Sequence, residues 1–212
     1  MIERLQYITR ETSQLTHIDC VREACIEGTK WIQLRVKNKS DEEYLTIARE
    51  AKIICDLYDV KLIINDNVEV ARKIKADGVH LGRKDMSPVK AREILGRDFI
   101  IGATATTYLD IENLKQMEVD YIGLGPYQYT ETKKDLSELL GISGYENVMK
   151  KLSIYANQVP IIAIGGIGLE DVKPLMNTGI YGIAVSATIT NDFTLIKDFQ
   201  KILNKQITNS IL

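Results

Sequence analysis

Eight short β-rich runs, each followed by a helix-length segment, constrain the fold of this chain most strongly: "LQYIT", "WIQLRV", "VKLIIND", "GVHLG", "FIIGATA", "YIGLG", "PIIAIGG" and "GIAVSATI". Several are apolar at consecutive positions, as parallel strands covered on both faces require. The segments between them repeat apolar residues at three and four spacing. "SDEEYLTIAREAKIICDLYD" has Ser40 as its N-cap, and "SPVKAREILG" has Ser87 as cap, Pro88 at the first helical position and Gly96 at its end. No Pro/Ser-rich linker or shift in composition divides the 212 residues. Eight βα units in that length predict one domain, 1–212, folded as a compact (β/α)8 TIM barrel. An open doubly wound sheet is the alternative, but no GxGxxG follows the first strand and the eighth unit would have no place in it.

Active sites of this fold gather at the C-terminal ends of the strands and in the loops that follow, so polar residues there call for an explanation. The second strand ends "QLRVK", where Gln33, Arg35 and Lys37 alternate and point to one side. An anion-binding cluster at the barrel mouth accounts for them; a solvent-facing strand edge is the competing reading. The third strand ends at Asn65 and Asp66, and Asp85 follows the neighbouring fourth strand. Two carboxylates on adjacent loops suit Mg2+, which takes one or two protein carboxylates together with water and phosphate oxygens. Helix capping is the other role open to each, since Asp66 precedes "NVEVARKIKA" and Asp85 stands just before Ser87. His80, within the fourth strand, reads as a structural histidine.

The seventh and eighth units, "AIGGI" and "GIAVSATI", put Gly165, Gly166 and Ser186 where many barrels bind phosphate. A strand-to-helix turn that needs positive φ would explain the glycines equally well. After the sixth strand, "GPYQYTETKKD" offers Thr130, Thr132 and Lys133 to a phosphate or pyrophosphate, or is a solvated surface loop. Its length and polarity predict a lid that closes over bound ligand.

Composition excludes several function classes. A net charge of −2 gives no general attraction to nucleic acid or anionic membrane, so any anion binding must come from local groups. The apolar runs are strand-sized, far short of the roughly 20 residues that span a bilayer, and "MIERLQYITRE" carries charges where a signal peptide is apolar. A cytoplasmic location follows as the expectation. Cys20, Cys25 and Cys55 are odd in number and form no CxxC pair, which predicts buried free thiols.

Together these segments resemble the thiamine phosphate synthase family. "WIQLRVK", "LIIND", "ADGVHLGRKDM", "IIGATATT", "DYIGLGPYQYTETKKD", "PIIAIGGI" and "GIAVSATI" fall in family order and spacing over nearly the whole chain. The resemblance implies a transferase that joins 4-amino-2-methyl-5-hydroxymethylpyrimidine diphosphate to 4-methyl-5-hydroxyethylthiazole phosphate, with Mg2+ as cofactor. It implies Asp66 and Asp85 as metal ligands. Gln33, Arg35, Lys37 and Asn65 would bind the pyrimidine and its diphosphate, with Thr104 in place of a family serine and Lys133 on the pyrophosphate. Arg35, Lys37 and Lys133 would carry the catalytic charge stabilisation. Thr130, Thr132, Gly166, Val185 and Ser186 would hold the thiazole phosphate. Two departures from the family pattern stand out: Thr106 replaces a histidine, and Gln128–Tyr129 replace an apolar residue and proline. A related thiazole tautomerase needs that histidine and lacks the full "TxTK" loop, so both features point to the synthase. A catalytically inactive phosphate-binding barrel is the further alternative, since fold analogy alone does not exclude it.

Overall fold

A computed structural model describes residues 2–129, 139–152 and 159–208. Eight parallel strands close into a barrel in sequence order: β1 (Leu5–Ile8), β2 (Trp31–Leu34), β3 (Lys61–Asn65), β4 (Gly78–Leu81), β5 (Ile100–Ala105), β6 (Tyr121–Leu124), β7 (Ile161–Ile164) and β8 (Gly182–Val185). The closing pair, β1 with β8, aligns Leu5 with Ile183 and Tyr7 with Val185. Around it run α1 (His17–Ile26), α2 (Asp41–Leu57), α3 (Val68–Ile74), α4 (Pro88–Leu95), α5 (Tyr108–Lys115), α6 (Gly141–Leu152), α7 (Val172–Asn177), α8 (Ala187–Asn191) and α9 (Leu195–Thr208).

The helix starts follow the local chemistry. Ser40 and Glu43 form a reciprocal capping box at α2, and Ser87 accepts from the Lys90 N–H ahead of Pro88 at α4. Thr16 and Thr107 open α1 and α5 with the same kind of box, using Asp19 and Asp110. Two segments read as strand end early. β2 stops at Leu34, which leaves Arg35 and Lys37 on the following loop, and β8 stops at Val185, so that "SATI" becomes the turn and first residues of α8. In both cases the ladder ends where charged or small polar residues replace apolar ones and nothing further is gained by burial between sheet and helices.

Strand alternation divides the buried residues into two sets. Leu5, Tyr7, Ile32, Leu34, Leu62, Ile64, Val79, Leu81, Ile101, Ile122, Leu124 and Val185 pack outward against the helices. Each fully buried side chain of this layer contributes about 1.5–3 kcal/mol, and Leu62→Ala would cost about 2–5 kcal/mol through transfer and cavity together. The opposite set, Ile8, Trp31, Ile63, Tyr121, Ile162 and Ala184, fills the barrel axis. Trp31 meets Tyr121 edge-on there, with ring centroids 4.8 Å apart. Small residues on β5 make room for these rings, since a Cβ on Gly102 would collide with the Tyr121 ring. The three cysteines are free and buried. No helix among the described residues is long and apolar enough to cross a membrane.

Candidate active site

The mouth of the barrel is built first by a brace beneath it. Tyr44, on α2, donates its hydroxyl to the carbonyls of Leu34 at 2.8 Å and Asn65 at 3.0 Å, tying the ends of β2 and β3 together. Burial raises the Tyr44 phenol well above its usual value, so it serves as a fixed donor. From this braced edge Arg35 and Lys37 emerge on one side and Asn65 and Asp66 on the other.

Neither aspartate caps a helix. Asn67 caps α3, its side-chain oxygen accepting the Val70 N–H at 2.9 Å, and Ser87 caps α4. Asp66 instead adopts a left-handed conformation, φ 65°, which Asp tolerates better than most residues and which turns its carboxylate into the mouth. Lys37 Nζ donates to Asp66 Oδ2. Asp85 closes the turn after β4 by accepting the Gly82 N–H at 2.6 Å and meets Asp66 in a side-chain hydrogen bond. Burial, then the hydrogen bond and charge of Asp66, push Asp85 up to about 6. Burial also works against ionisation of Asp66, but hydrogen bonds with Asp85 and Lys37 outweigh it and hold that carboxyl below its usual range. A carboxylate pair in this state is short of positive charge, which a hard divalent cation supplies. Asn65 adds a buried Nδ2 donor without a hydrogen-bond partner beside the pair. Arg35 is also nearby; burial lowers its pKa while Asp66 offsets part of that effect.

Across the mouth, the loops after β6 and β7 interlock. Tyr127 N donates to the Ile164 carbonyl at 2.9 Å and Gln128 N to that of Gly165 at 3.0 Å. Gly166 has φ 69°, and a Cβ there would stand 2.6 Å from the Tyr129 carbonyl oxygen, so both conformation and space demand glycine. Asp171, just ahead of α7, pins this corner: its carboxylate accepts from Tyr127 Oη at 3.1 Å, Gln128 Nε2 at 3.3 Å and Gly168 N at 2.8 Å. Ser186 stands at the head of α8 with no side-chain bond to the helix. Val185 sends its side chain outward into the helix layer, so only its backbone is available at the mouth. Thr130, Thr132 and Lys133, and the lid expected around them, lie outside the described residues.

Thr104, on β5, bonds His80 Nε2 through its hydroxyl at 2.9 Å. Thr106 receives Arg83 Nη1 at 3.1 Å and donates to Asp110 Oδ2 at 2.9 Å, so the position holds a hydroxyl bound into a local network. A separate cavity of about 460 Å3 lies at the opposite end of the barrel, lined by Lys30 and Asp77 just ahead of strands and by Lys61, the first residue of β3.

A family model described as thiamine monophosphate synthase matches residues 5–189. The chain belongs to the thiamine monophosphate synthase family. It is 44% identical over 211 residues to a thiamine-phosphate synthase of Flavobacterium johnsoniae, covering 100% of this chain and 97% of the relative. A Bacteroides fragilis thiamine-phosphate synthase is 42% identical over 200 residues, covering 94% and 98%. Among solved structures, a thiamine phosphate pyrophosphorylase from Pyrococcus furiosus superposes with a TM-score of 0.82 at 28% identity, covering 96% of each chain.

Against this thiamine monophosphate synthase background, sequence reading missed Gln6, Tyr121 and Asp171 and left His80 structural. A polar Gln6 at the same parity as Ile8 in "LQYI" was a usable signal for an inward polar residue. Asp171 gave none, because the two side chains it pins, Tyr127 and Gln128, lie 44 and 43 residues away.

Proposed function

We propose that the protein condenses 4-amino-2-methyl-5-hydroxymethylpyrimidine diphosphate with 4-methyl-5-hydroxyethylthiazole phosphate, giving thiamine phosphate and pyrophosphate in thiamine biosynthesis. The observation that carries this reading is the Asp66–Asp85 pair, which caps nothing and faces the mouth beside Lys37 and Arg35. A second phosphate position, formed by Gly166, Ser186 and the Val185 backbone, suits a two-substrate reaction.

In this reaction the carbon–oxygen bond to diphosphate breaks with its electron pair leaving on oxygen, and the thiazole nitrogen supplies the pair for the new carbon–nitrogen bond. No proton has to move and no protein nucleophile is required. The chain's task is therefore to stabilise the departing charge and to exclude water from the electrophilic carbon. Arg35, Lys37 and Lys133 neutralise the diphosphate, Asn65 and Thr104 offer it neutral donors, and Gln33 orients the pyrimidine. Thr130 and Thr132 complete the thiazole phosphate site.

The two carboxylates and the donors around them fit Mg2+, with Asp66 and Asp85 as the residues that hold it. When bound, Mg2+ supplies Lewis-acid stabilisation of the leaving diphosphate. The alternative tautomerase reading finds no support at Thr106, which is bound to Arg83 and Asp110 and carries no titratable ring. Three free thiols accord with a reducing, cytoplasmic setting.

The decisive experiment mixes purified protein with both substrates and Mg2+ and follows thiamine phosphate and pyrophosphate together. Equimolar appearance of the two is expected. Binding of both substrates without turnover would instead identify a phosphate-binding barrel that has lost the reaction.

A further inference from the structure

Five polar side chains from five different strands meet inside the barrel, where apolar residues would pack at lower cost. Gln33 Nε2 donates to Gln6 Oε1 at 3.0 Å, and Gln6 Nε2 donates to the Tyr121 hydroxyl at 3.2 Å. The same hydroxyl lies 3.0 Å from His80 Nδ1, and His80 Nε2 lies 2.9 Å from Thr104 Oγ1. Tyr121 is fully buried, and Gln6, Gln33 and His80 are almost so. Gly123 faces the imidazole, where a Cβ would stand 3.1 Å from His80 Cε1, so the ring is confined as well as bonded.

The donor and acceptor inventory gives this cluster a direction. A tyrosine hydroxyl has one hydrogen and two acceptor sites. Gln6 Oε1 is taken by the Gln33 amide, so Gln6 meets Tyr121 as a donor, and His80 Nδ1 is the partner that can accept the Tyr121 hydrogen. An accepting Nδ1 puts the ring proton on Nε2, and Nε2–H then donates to Thr104 Oγ1. The hydrogen of Thr104 is left to point away from the imidazole, toward the mouth. The reverse polarity would consume that hydrogen at His80 and turn oxygen lone pairs toward any bound anion.

We propose that Gln6, Gln33, Tyr121 and His80 form a polarised hydrogen-bond chain that locks His80 as the Nε2–H tautomer and makes Thr104 an outward donor to the diphosphate. His80 and Tyr121 are thus positioning residues, acting on substrate through Thr104. The assignment of diphosphate to Thr104 rests on the proposed function, whereas the tautomer does not.

The first test reads the tautomer directly. The chain has two histidines, so two-bond 1H–15N correlation spectra of the ligand-free protein at pH 7.5, assigned with His17→Gln, suffice. The Nε2–H form at His80 is expected, and the Nδ1–H form or an imidazolium would overturn the proposal. The second test titrates inorganic pyrophosphate with Mg2+ by calorimetry. Thr104→Val and Tyr121→Phe should each weaken binding about tenfold, as loss of one hydrogen bond to a charged group does. The double variant should be no weaker than Thr104→Val alone, because both changes remove the same donated hydrogen. Independent, additive losses would overturn the relay. Should Tyr121→Phe fail to fold, the wild-type tautomer still decides. A protein that shows the Nε2–H tautomer yet makes no thiamine phosphate would sink the proposed function and leave the chain intact.

Discussion

Asp66 and Asp85, from neighbouring strand ends, hold their carboxylates in hydrogen-bond contact, and burial together with that contact raises Asp85 to about 6. Two carboxylates in contact that cap no helix are poised for a cation. Asp66→Asn and Asp85→Asn should each raise the Mg2+ concentration for half-maximal activity by about tenfold or more, the order seen when a metal site loses a supporting group. Asp85→Asn should not lower the melting temperature of the metal-free protein, since it relieves repulsion within the pair, whereas Asp66→Asn gives up the ion pair with Lys37 and should lower it slightly. Activity measured against Mg2+ alongside thermal melting checks both points, and unchanged metal dependence in both variants would remove the pair from the site.

Gly166→Ala tests the corner between β6 and β7. The left-handed backbone and the 2.6 Å approach to the Tyr129 carbonyl together should cost about 1–3 kcal/mol. Because the strain falls beside the phosphate position proposed at Gly166 and Ser186, KM for thiazole phosphate should rise more than KM for the pyrimidine diphosphate. Chemical denaturation and steady-state kinetics read the two effects separately.

Asp171→Ala removes the acceptor of three hydrogen bonds and leaves the nearly buried Tyr127 hydroxyl without that partner. A loss of about 2 kcal/mol or more is expected. Asp171→Asn keeps an acceptor oxygen and should recover part of it. Equal stability of wild type and Asp171→Ala in urea titrations would show that the loops interlock without this residue.

His17 supplies a pH dependence away from the mouth. Burial lowers its pKa, with Lys39 and Arg35 acting in the same direction and Glu11 opposing them. Its Nδ1 is 2.9 Å from Thr9 Oγ1, which also accepts the Arg35 N–H at 3.0 Å. The unfolded chain takes up a proton near pH 6.5 while the folded chain resists it until lower pH. Between those values the unfolded state binds more protons, so stability rises with pH and is lost as pH falls. Unfolding free energies at pH 7.5 and 5.5 should therefore differ less in His17→Gln than in wild type. An unchanged difference would contradict the assignment.

The sequence by itself determined the barrel, because its signals are local. Consecutive apolar runs, the Ser40 and Ser87 caps and the Pro88 start act within a few residues and need no partner across the fold. It also supplied the chemical types at the strand ends, from Gln33 to Ser186. Tertiary structure decided what those residues do. Whether Asp66 caps α3 depended on one backbone angle, and Asn67 took the cap while Asp66 turned to φ 65° toward Asp85. The inner chain is the extreme case: Gln6 and Tyr121 are 115 residues apart, on strands that are not neighbours in the sheet. Alternation along each strand shows that both can face inward, but only closure of the barrel, with its fixed register, sets which polar atoms come within hydrogen-bond reach.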